Sequence, residues 1–316
     1  EQQPILDQET MTRQANLRQY VVSGSTGLVG KRLCAALSAS GCRVDRLVRS
    51  PPTGQVGEIV WDPLAGSIDA ASLEGCDAVI HLAGESIAAG RWTRAKKERI
   101  LASRVDGTRL LCQTLASLKY KPSVLVSASA IGYYGNHSGE ALTEDGPLGQ
   151  GFLAEVCRAW ERATEPAEAA GIRVVHLRTG MVLAAEGGAL AKMLLPFKLG
   201  AGGVVGSGRQ IMSWIGLTDL VAAIKHVVQH ESIRGPVNAV APNPVTNRQF
   251  TKTLGSVLRR PTIFPLPGLV VRLLFGEMGQ SLLLEGCPVS PRKLLDTGFR
   301  FEYPGLESAL RAELGR

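Results

Sequence analysis

The chain has 316 residues, of which 45% are hydrophobic and 20% charged, and its net charge is +7 at pH 7. This composition is ordinary for a globular protein built as one large domain or two small ones. The positive charges are dispersed and only 5% of the residues are aromatic, which argues against a nucleic-acid surface that stacks bases.

The cysteines bear on the redox environment, and the first residue bears on the N-terminal segment. The six cysteines are scattered without a C-x-x-C pair, which argues against a zinc site or a disulfide scaffold. The scattered cysteines also lead us to expect no metal, and reduced thiols in the cytoplasm or in a reducing organelle interior. No apolar run reaches about 18 residues, so we expect no membrane span. The first residue is Glu rather than Met. We expect residues 1–17 to be a polar arm or linker, and an additional N-terminal domain or a homodimer stays open.

Residues 18–184 alternate short apolar strands with helical patterns. In chain order the strands are "RQYVVSG", "CRVDRLVRS", "CDAVIHLAG", "PSVLVSAS" and "IRVVHLRTG", and the helices between them include "GKRLCAALSAS", "RILASRVDGTRLLCQTLASL" and "FLAEVCRAWERATEPAEAAG". Alternating strands and helices predict a parallel sheet covered on both faces. The expected fold class is therefore α/β, a doubly wound Rossmann sheet.

The pattern changes after Gly180. A glycine-rich stretch is followed by the helical "TDLVAAIKHVVQH" and then by segments with Pro and Gly at short intervals. We predict that 209–240 belongs with the Rossmann core of 18–184. Residues 185–208 and 241–316 are expected to form a smaller C-terminal substrate lobe.

A glycine triplet joins the first strand to the first helix. Gly24, Gly27 and Gly30 permit a tight turn and a close approach of the backbone to a pyrophosphate, and the helix N-terminus supplies N–H groups for the anion. Glycine triplets alone are weak evidence, but this one has the required strand–turn–helix context. The residues predicted to contact a dinucleotide here are Gly24, Ser25, Thr26, Gly27, Leu28 and Val29.

The end of the second strand predicts which dinucleotide binds. An NAD site usually carries Asp or Glu there, whereas this strand ends in Arg49 and Ser50. An arginine fork can pair with a 2′-phosphate. We therefore expect NADP(H) rather than NAD(H); a solvated arginine at the strand end is the alternative.

Several motifs in order resemble one family. They are "SGSTGLVG", "HLAGESI", "SASAIGYYG", "WERAT", "GGALAKMLLPF" and "WIGLTDL". Together they resemble the extended, atypical short-chain dehydrogenase/reductase superfamily, and within it the epimerase-like branch labelled NAD-dependent epimerase/dehydratase or cell-division-inhibitor-like. The resemblance runs from about residue 18 to the C-terminus.

This resemblance implies further cofactor contacts. They are Leu82, Ala83, Gly84 and Glu85 after the strand "AVIHL", Arg104 on the long helix, Ser127 and Ala128 at a later strand end, and Arg178, Gly180, Met181 and Val182 in the loop that covers the nicotinamide. Ordinary packing at strand ends, and a helix salt bridge for Arg104, are the alternatives.

The superfamily's usual Tyr-x-x-x-Lys pair is absent, because no tyrosine has a lysine four residues on. In those enzymes the tyrosine passes a proton and the lysine lowers its pKa and helps to hold the ribose. The remaining catalytic candidates are Ser129, Tyr133 and Tyr134, with Lys192 or His137 as a cation that could assist. Each tyrosine can instead line the substrate site or only pack.

Two functions stay open. Lys192, Met193, Phe197 and Trp214 are predicted to line a substrate pocket in the lobe. The first hypothesis is an NADP-dependent oxidoreductase or epimerase acting on a small carbonyl or hydroxyl substrate, for which the branch label implies a sugar nucleotide. The second is an NADP(H)-binding sensor or scaffold that has lost turnover.

Overall fold

The computed structural model describes residues 18–49 and 57–316. The predicted arm at 1–17 and the predicted cofactor residue Ser50 lie outside the described residues.

One large sheet organises the described chain. The strands are β1 Gln19–Ser23, β2 Arg43–Val48, β3 Glu58–Asp62, β4 Ser67–Ile68, β5 Ala78–His81, β6 Val124–Ala130, β7 Arg173–Thr179, β8 Met181–Leu183, β9 Ile211–Met212, β10 Trp214–Gly216, β11 Gly235–Ala239 and β12 Val245–Thr246. Eight of them form the sheet β11-β7-β6-β5-β1-β2-β3-β4, in which every pair is parallel except β3 with β4. The order reverses between β1 and β5, and ligands of open α/β sheets bind in the crevice at the carboxyl ends of such strands.

Helices cover both faces of this sheet, and further helices pack in the later part of the chain. In chain order the helices are α1 Leu28–Ala39, α2 Arg94–Ser117, α3 Phe152–Arg162, α4 Glu165–Ala169, α5 Gly188–Lys198, α6 Leu217–Gln229, α7 Asn247–Leu258, α8 Gly268–Gly279, α9 Arg292–Asp296 and α10 Leu306–Leu314. The core on one face combines sheet residues with α1 and α6, and the core on the other face combines them with α2 and α4. The expected doubly wound α/β fold is confirmed. Among the helices of the described ranges, 18–49 and 57–316, none combines the length and the hydropathy of a membrane span.

A third apolar core lies among the later elements. Buried side chains of α5, α7 and α10 pack together with Trp214 of β10 and Leu183 of β8. Two small sheets, β10 with β8 and β12 with β9, frame it. The packing sets these segments apart from the large sheet's two cores, although the domain boundaries given above stay a prediction.

Candidate cofactor and substrate site

The glycine turn is closed against the neighbouring strand. Gly24 follows β1 with φ of +66°, and a Cβ atom there would lie 2.8 Å from the carbonyl carbon of Leu82. A Cβ atom on Gly30 would lie 2.2 Å from the carbonyl oxygen of Gly24. No side chain caps α1, whose N-cap is Gly27, so the first-turn N–H groups of the helix are available to an anion. The turn therefore has the close-packed backbone and uncapped helix N-terminus that suit a phosphate group.

A buried series of hydrogen bonds links the ends of the neighbouring strands β1 and β5, on either side of the crevice. The Ser23 hydroxyl accepts hydrogen bonds from the N–H groups of Leu82 (3.0 Å) and Ala83 (3.2 Å), so its own proton goes to His81 Nδ1 at 2.7 Å. His81 Nε2 then carries the ring proton and donates it to Thr108 Oγ1 at 3.0 Å. Burial lowers the pKa of His81 to about 4, which keeps the ring neutral.

This arrangement restricts two of the predicted cofactor contacts. The N–H groups of Leu82 and Ala83 are already used by Ser23. Both residues can line a cofactor only with their side chains and carbonyl groups.

Residues after β5 are held by α2. A Cβ atom on Gly84 would lie 3.3 Å from the guanidinium carbon of Arg104. Arg104 Nη1 donates to the carbonyl oxygens of Glu85 (3.0 Å) and Ile100 (3.2 Å), and the guanidinium lies over the Trp160 ring at 4.9 Å. Burial lowers the pKa of Arg104. Arg104 thus supports the segment after β5, and its predicted contact with the cofactor stays a prediction.

The remaining predicted cofactor residues lie at the same edge of the sheet. Arg49 is exposed directly after β2. Gly180 joins β7 to β8, and a Cβ atom there would lie 2.6 Å from the Ser213 carbonyl oxygen. The others are buried (Ser25, Ser127), half-buried (Leu28, Val29, Ala128, Met181, Val182) or exposed (Thr26).

A buried charged network occupies the carboxyl ends of β6 and β7. Arg178 donates from Nε and Nη2 to the two carboxylate oxygens of Glu161, each at 2.8 Å, and from Nη1 to the Tyr134 hydroxyl at 3.0 Å. Ser129 Oγ donates to Glu161 Oε1 at 2.7 Å, and the Tyr134 hydroxyl donates to Asn238 Oδ1 at 2.7 Å. Burial opposes the charge of Arg178, but the Glu161 carboxylate outweighs it, so the pKa of Arg178 is raised.

This network engages three of the predicted site residues. The Ser129 hydroxyl donates its hydrogen bond to the Glu161 carboxylate. It cannot donate the same hydrogen bond to a substrate carbonyl at the same time. Tyr134 is 2% exposed, burial raises the pKa of its hydroxyl despite Arg178, and that hydroxyl donates to Asn238. Arg178 is 3% exposed and is bound to Glu161 rather than directed at a cofactor. Buried ionic groups need such partners because an unpaired charge is costly away from water.

Tyr133 differs from its neighbour. Its side chain is half-buried, and its ring lies 3.5 Å from the guanidinium carbon of Arg178 and 5.5 Å from the Tyr134 ring. Its hydroxyl makes no hydrogen bond to any residue in the described part of the chain. Of the two predicted tyrosines, Tyr133 alone keeps a hydroxyl that a substrate could use.

Apolar side chains fill the positions on α3 where the superfamily pair is expected. Leu153 packs against Gly132, where an added Cβ atom would lie 3.2 Å from Leu153 Cβ. Burial raises the pKa of Cys157 to about 11, so its thiol is protonated and inert at neutral pH. No proton relay runs along this helix.

The predicted substrate residues do not form one pocket. Trp214 is 0% exposed and its indole N–H donates to the Asn243 carbonyl oxygen at 3.1 Å, and Phe197 is 7% exposed in the same core. Both are packing residues, which corrects their assignment to a pocket wall. Lys192 is exposed and its Nζ donates to the Ala88 carbonyl oxygen at 3.0 Å, while Met193 is half-buried.

An open cavity of about 530 Å³ lies at the opposite edge of the sheet. It is lined by Arg18 and Tyr20 at the start of β1, together with Ser40 and Lys225. None of the predicted site residues belongs to it, so the crevice at the carboxyl edge remains the candidate site.

Four polar residues in the hydrogen-bond networks around the predicted site residues were not predicted from the sequence: Ser23, His81, Glu161 and Asn238. Ser23 and His81 end otherwise apolar strands, and a polar side chain at such a position is a signal that could have been used. Glu161 and Asn238 gave no such signal, because their partners are 17 to 104 residues away in the chain.

Comparison with known proteins gives consistent matches. Residues 20–239 match the model of the NAD dependent epimerase/dehydratase family, and residues 266–313 match a domain of unknown function. An epimerase family protein of Mycobacterium tuberculosis is 42% identical and covers 92% of this chain and 95% of its own length.

Two solved structures share the architecture. The human epimerase family protein SDR39U1, solved with NADPH, has a TM-score of 0.87 and 36% identity over 94% of this chain and 99% of that one. The nucleoside-diphosphate sugar epimerase of Corynebacterium glutamicum has a TM-score of 0.77 and 35% identity, over 98% of this chain and 62% of that one.

Proposed function

The chain belongs to the NAD dependent epimerase/dehydratase family, as the resemblance implied, and we propose that it binds NADP(H) and transfers hydride to or from a small carbonyl or hydroxyl substrate. The observation that carries the proposal is the closed glycine cradle. Gly24 and Gly30 leave no room for a Cβ atom, and α1 presents uncapped N–H groups beside them. Such a cradle fits a dinucleotide pyrophosphate.

The exposed Arg49 supports NADP(H) over NAD(H). It lies at the tip of β2, where an NAD site would place an acid for the ribose 2′-hydroxyl. The human relative solved with NADPH is consistent with this choice. The six cysteines are all free thiols, which fits a reducing compartment such as the cytoplasm.

The bound cofactor would supply the hydride chemistry. The chain's own residues then have three tasks. The glycine turn and α1 hold the pyrophosphate, and Arg49 pairs with the 2′-phosphate. Tyr133 donates a proton to the substrate oxygen during carbonyl reduction and takes it back in the reverse reaction, with its ring held by Arg178.

The test uses NADPH and a panel of aldehydes, ketones and one nucleotide sugar, and follows the absorbance of the reduced nicotinamide. We expect one class of carbonyl to be reduced, and Tyr133→Phe to lower kcat at least about 100-fold, since a general acid contributes that much. Tyr120→Phe is the matched control because Tyr120 is exposed at the far end of α2. Full activity of Tyr133→Phe would remove Tyr133 from the mechanism.

A specific observation also favours a second function, an NADP(H)-binding protein without turnover. Ser129 has its proton engaged by Glu161, and Leu153 and Cys157 stand on α3 where a proton relay would be needed. Tight NADPH binding without oxidation by any member of the panel would support this reading over the enzyme.

A further inference from the structure

Three side chains of one helix converge on a single residue, Glu85. Lys96 Nζ donates to Glu85 Oε1 at 2.6 Å, Ser103 Oγ accepts from the Glu85 N–H at 3.0 Å, and Arg104 Nη1 donates to the Glu85 carbonyl oxygen at 3.0 Å. Positions 96, 103 and 104 lie on one face of α2 because they are spaced by seven and eight residues. The backbone and the carboxylate of Glu85 are therefore both fixed.

Lys96, Ser103 and Arg104 together form a clamp on Glu85, and the two charged side chains of the Lys96–Glu85 pair differ in exposure. The Lys96 side chain is 6% exposed, whereas the Glu85 side chain is 38% exposed. A buried ammonium is costly unless it is paired, so Lys96 is committed to Glu85. Glu85 Oε1 takes that bond, and Oε2 accepts no hydrogen bond from any residue in 18–49 or 57–316. The clamp presents one carboxylate oxygen outward.

Glu85 follows β5, at the same edge of the sheet as the glycine turn. It comes three residues after Leu82, whose carbonyl carbon would lie 2.8 Å from a Cβ atom on Gly24. The α2 helix is also fixed at this end, because the Thr93 side chain caps it by accepting from the Lys96 N–H. The crevice between the ends of β1 and β5 is therefore bordered by the glycine turn after one strand and by the segment that carries Glu85 after the other.

The chemistry of the clamp selects a neutral donor. The hydrogen bond from Lys96 lowers the pKa of Glu85, so the carboxylate is ionised at neutral pH and only accepts. Lys96 and Arg104 disfavour a cationic ligand beside it. Neutral hydroxyl and N–H groups are the remaining donors, and a dinucleotide carries hydroxyls on both riboses. The lysine that helps to hold the ribose in the superfamily has no counterpart on α3.

We propose that the Glu85 carboxylate accepts hydrogen bonds from a ribose hydroxyl of the bound dinucleotide, and that Lys96 is the positioning residue that holds it. This proposal rests on NADP(H) binding, the function proposed above.

The test compares wild type and Glu85→Ala by fluorescence or calorimetric titration with NADPH and with 2′,5′-ADP, which lacks the nicotinamide ribose. We expect Glu85→Ala to weaken NADPH binding about tenfold or more, the effect of losing a hydrogen bond to a charged group. Unchanged 2′,5′-ADP affinity assigns the bond to the nicotinamide ribose, and a parallel loss assigns it to the adenine ribose. An NADPH affinity within about twofold of wild type overturns the proposal. Absence of NADPH binding by wild type refutes the proposed function instead.

Lys96→Met tests the positioning role separately. Without Lys96 the pKa of Glu85 rises toward its ordinary range, so we expect NADPH affinity to fall more steeply than in wild type as the pH is lowered from about 6 to about 4. Lys96→Arg should restore the wild-type profile. The control is Lys97→Met, which removes the neighbouring lysine bound to Glu277. A loss of thermal stability with an unchanged pH profile would contradict the positioning role.

Discussion

Two regions of the same sheet edge differ in how their polar groups are used. At the ends of β1 and β5, Ser23 and His81 tie the backbone from below and leave the glycine turn, with Glu85 beside it, facing the crevice. At the ends of β6 and β7, Glu161 and Arg178 bind the polar side chains to one another. A cofactor cradle can be made from backbone alone, whereas acid–base chemistry needs a side-chain proton that is not already engaged.

The largest expected effect is a loss of stability when the ion pair of the second region is broken. Arg178→Met leaves Glu161 as an unpaired carboxylate whose side chain is 12% exposed, so we expect a loss of about 3–5 kcal/mol in the free energy of unfolding, measured by denaturant titration. The double variant Glu161→Leu with Arg178→Met should lose less, since no unpaired charge remains. NADPH affinity of the folded single variant should stay near that of wild type. Lost binding in a folded Arg178→Met protein would mean that the two regions are not separate.

The first region should respond to pH through His81. The folded-state pKa of His81 is lowered to about 4, below an unfolded value of about 6.5. The unfolded chain therefore binds the proton first, and stability falls as the pH drops from about 6.5 towards 4. We expect this group to account for about 3 kcal/mol at the acid end of that window.

Comparing wild type with His81→Gln isolates this contribution. The free energy of unfolding of His81→Gln should be lower than that of wild type at pH 7 but should fall less between pH 7 and 4.5. Parallel pH profiles for the two proteins would show that His81 is not held neutral by burial.

The smallest of these effects concerns cofactor choice. Arg49→Ala removes the exposed cation at the tip of β2, and we expect NADPH affinity to fall about tenfold while NADH affinity stays the same. Arg43→Ala is a suitable control because Arg43 begins the same strand at its other end and pairs with Asp45. Equal losses for NADPH and NADH would rule out a 2′-phosphate contact.

The cradle and the sheet were predictable because they depend on local order in the chain. A strand, a glycine-spaced turn and a helix in sequence fix the position of Gly24 whatever the rest of the chain does. The crevice follows from alternating strands and helices, through the handedness of their connections. This part of the site was therefore accessible from the sequence.

The catalytic edge was not predictable because its outcome depends on distant partners. Nothing near Ser129 shows that Glu161, 32 residues on, accepts its proton. Tyr133 and Tyr134 are adjacent in a short helical turn, Ile131–Tyr134, which directs one ring inward and leaves the other half-buried. Trp214 packs inside the lobe, and its local sequence does not distinguish the wall of a pocket from a core.

The most direct test of the account measures NADPH affinity in Gly24→Ala and Gly41→Ala. Both glycines have positive φ, +66° and +75°, so both variants carry similar backbone strain, but only the Gly24 variant places a Cβ atom against Leu82, since nothing lies within 4 Å at Gly41. We expect Gly24→Ala to lose NADPH binding at least about 100-fold while remaining folded, and Gly41→Ala to bind as wild type does. Wild-type NADPH affinity in a folded Gly24→Ala protein would contradict the assignment of the glycine turn as the cofactor cradle.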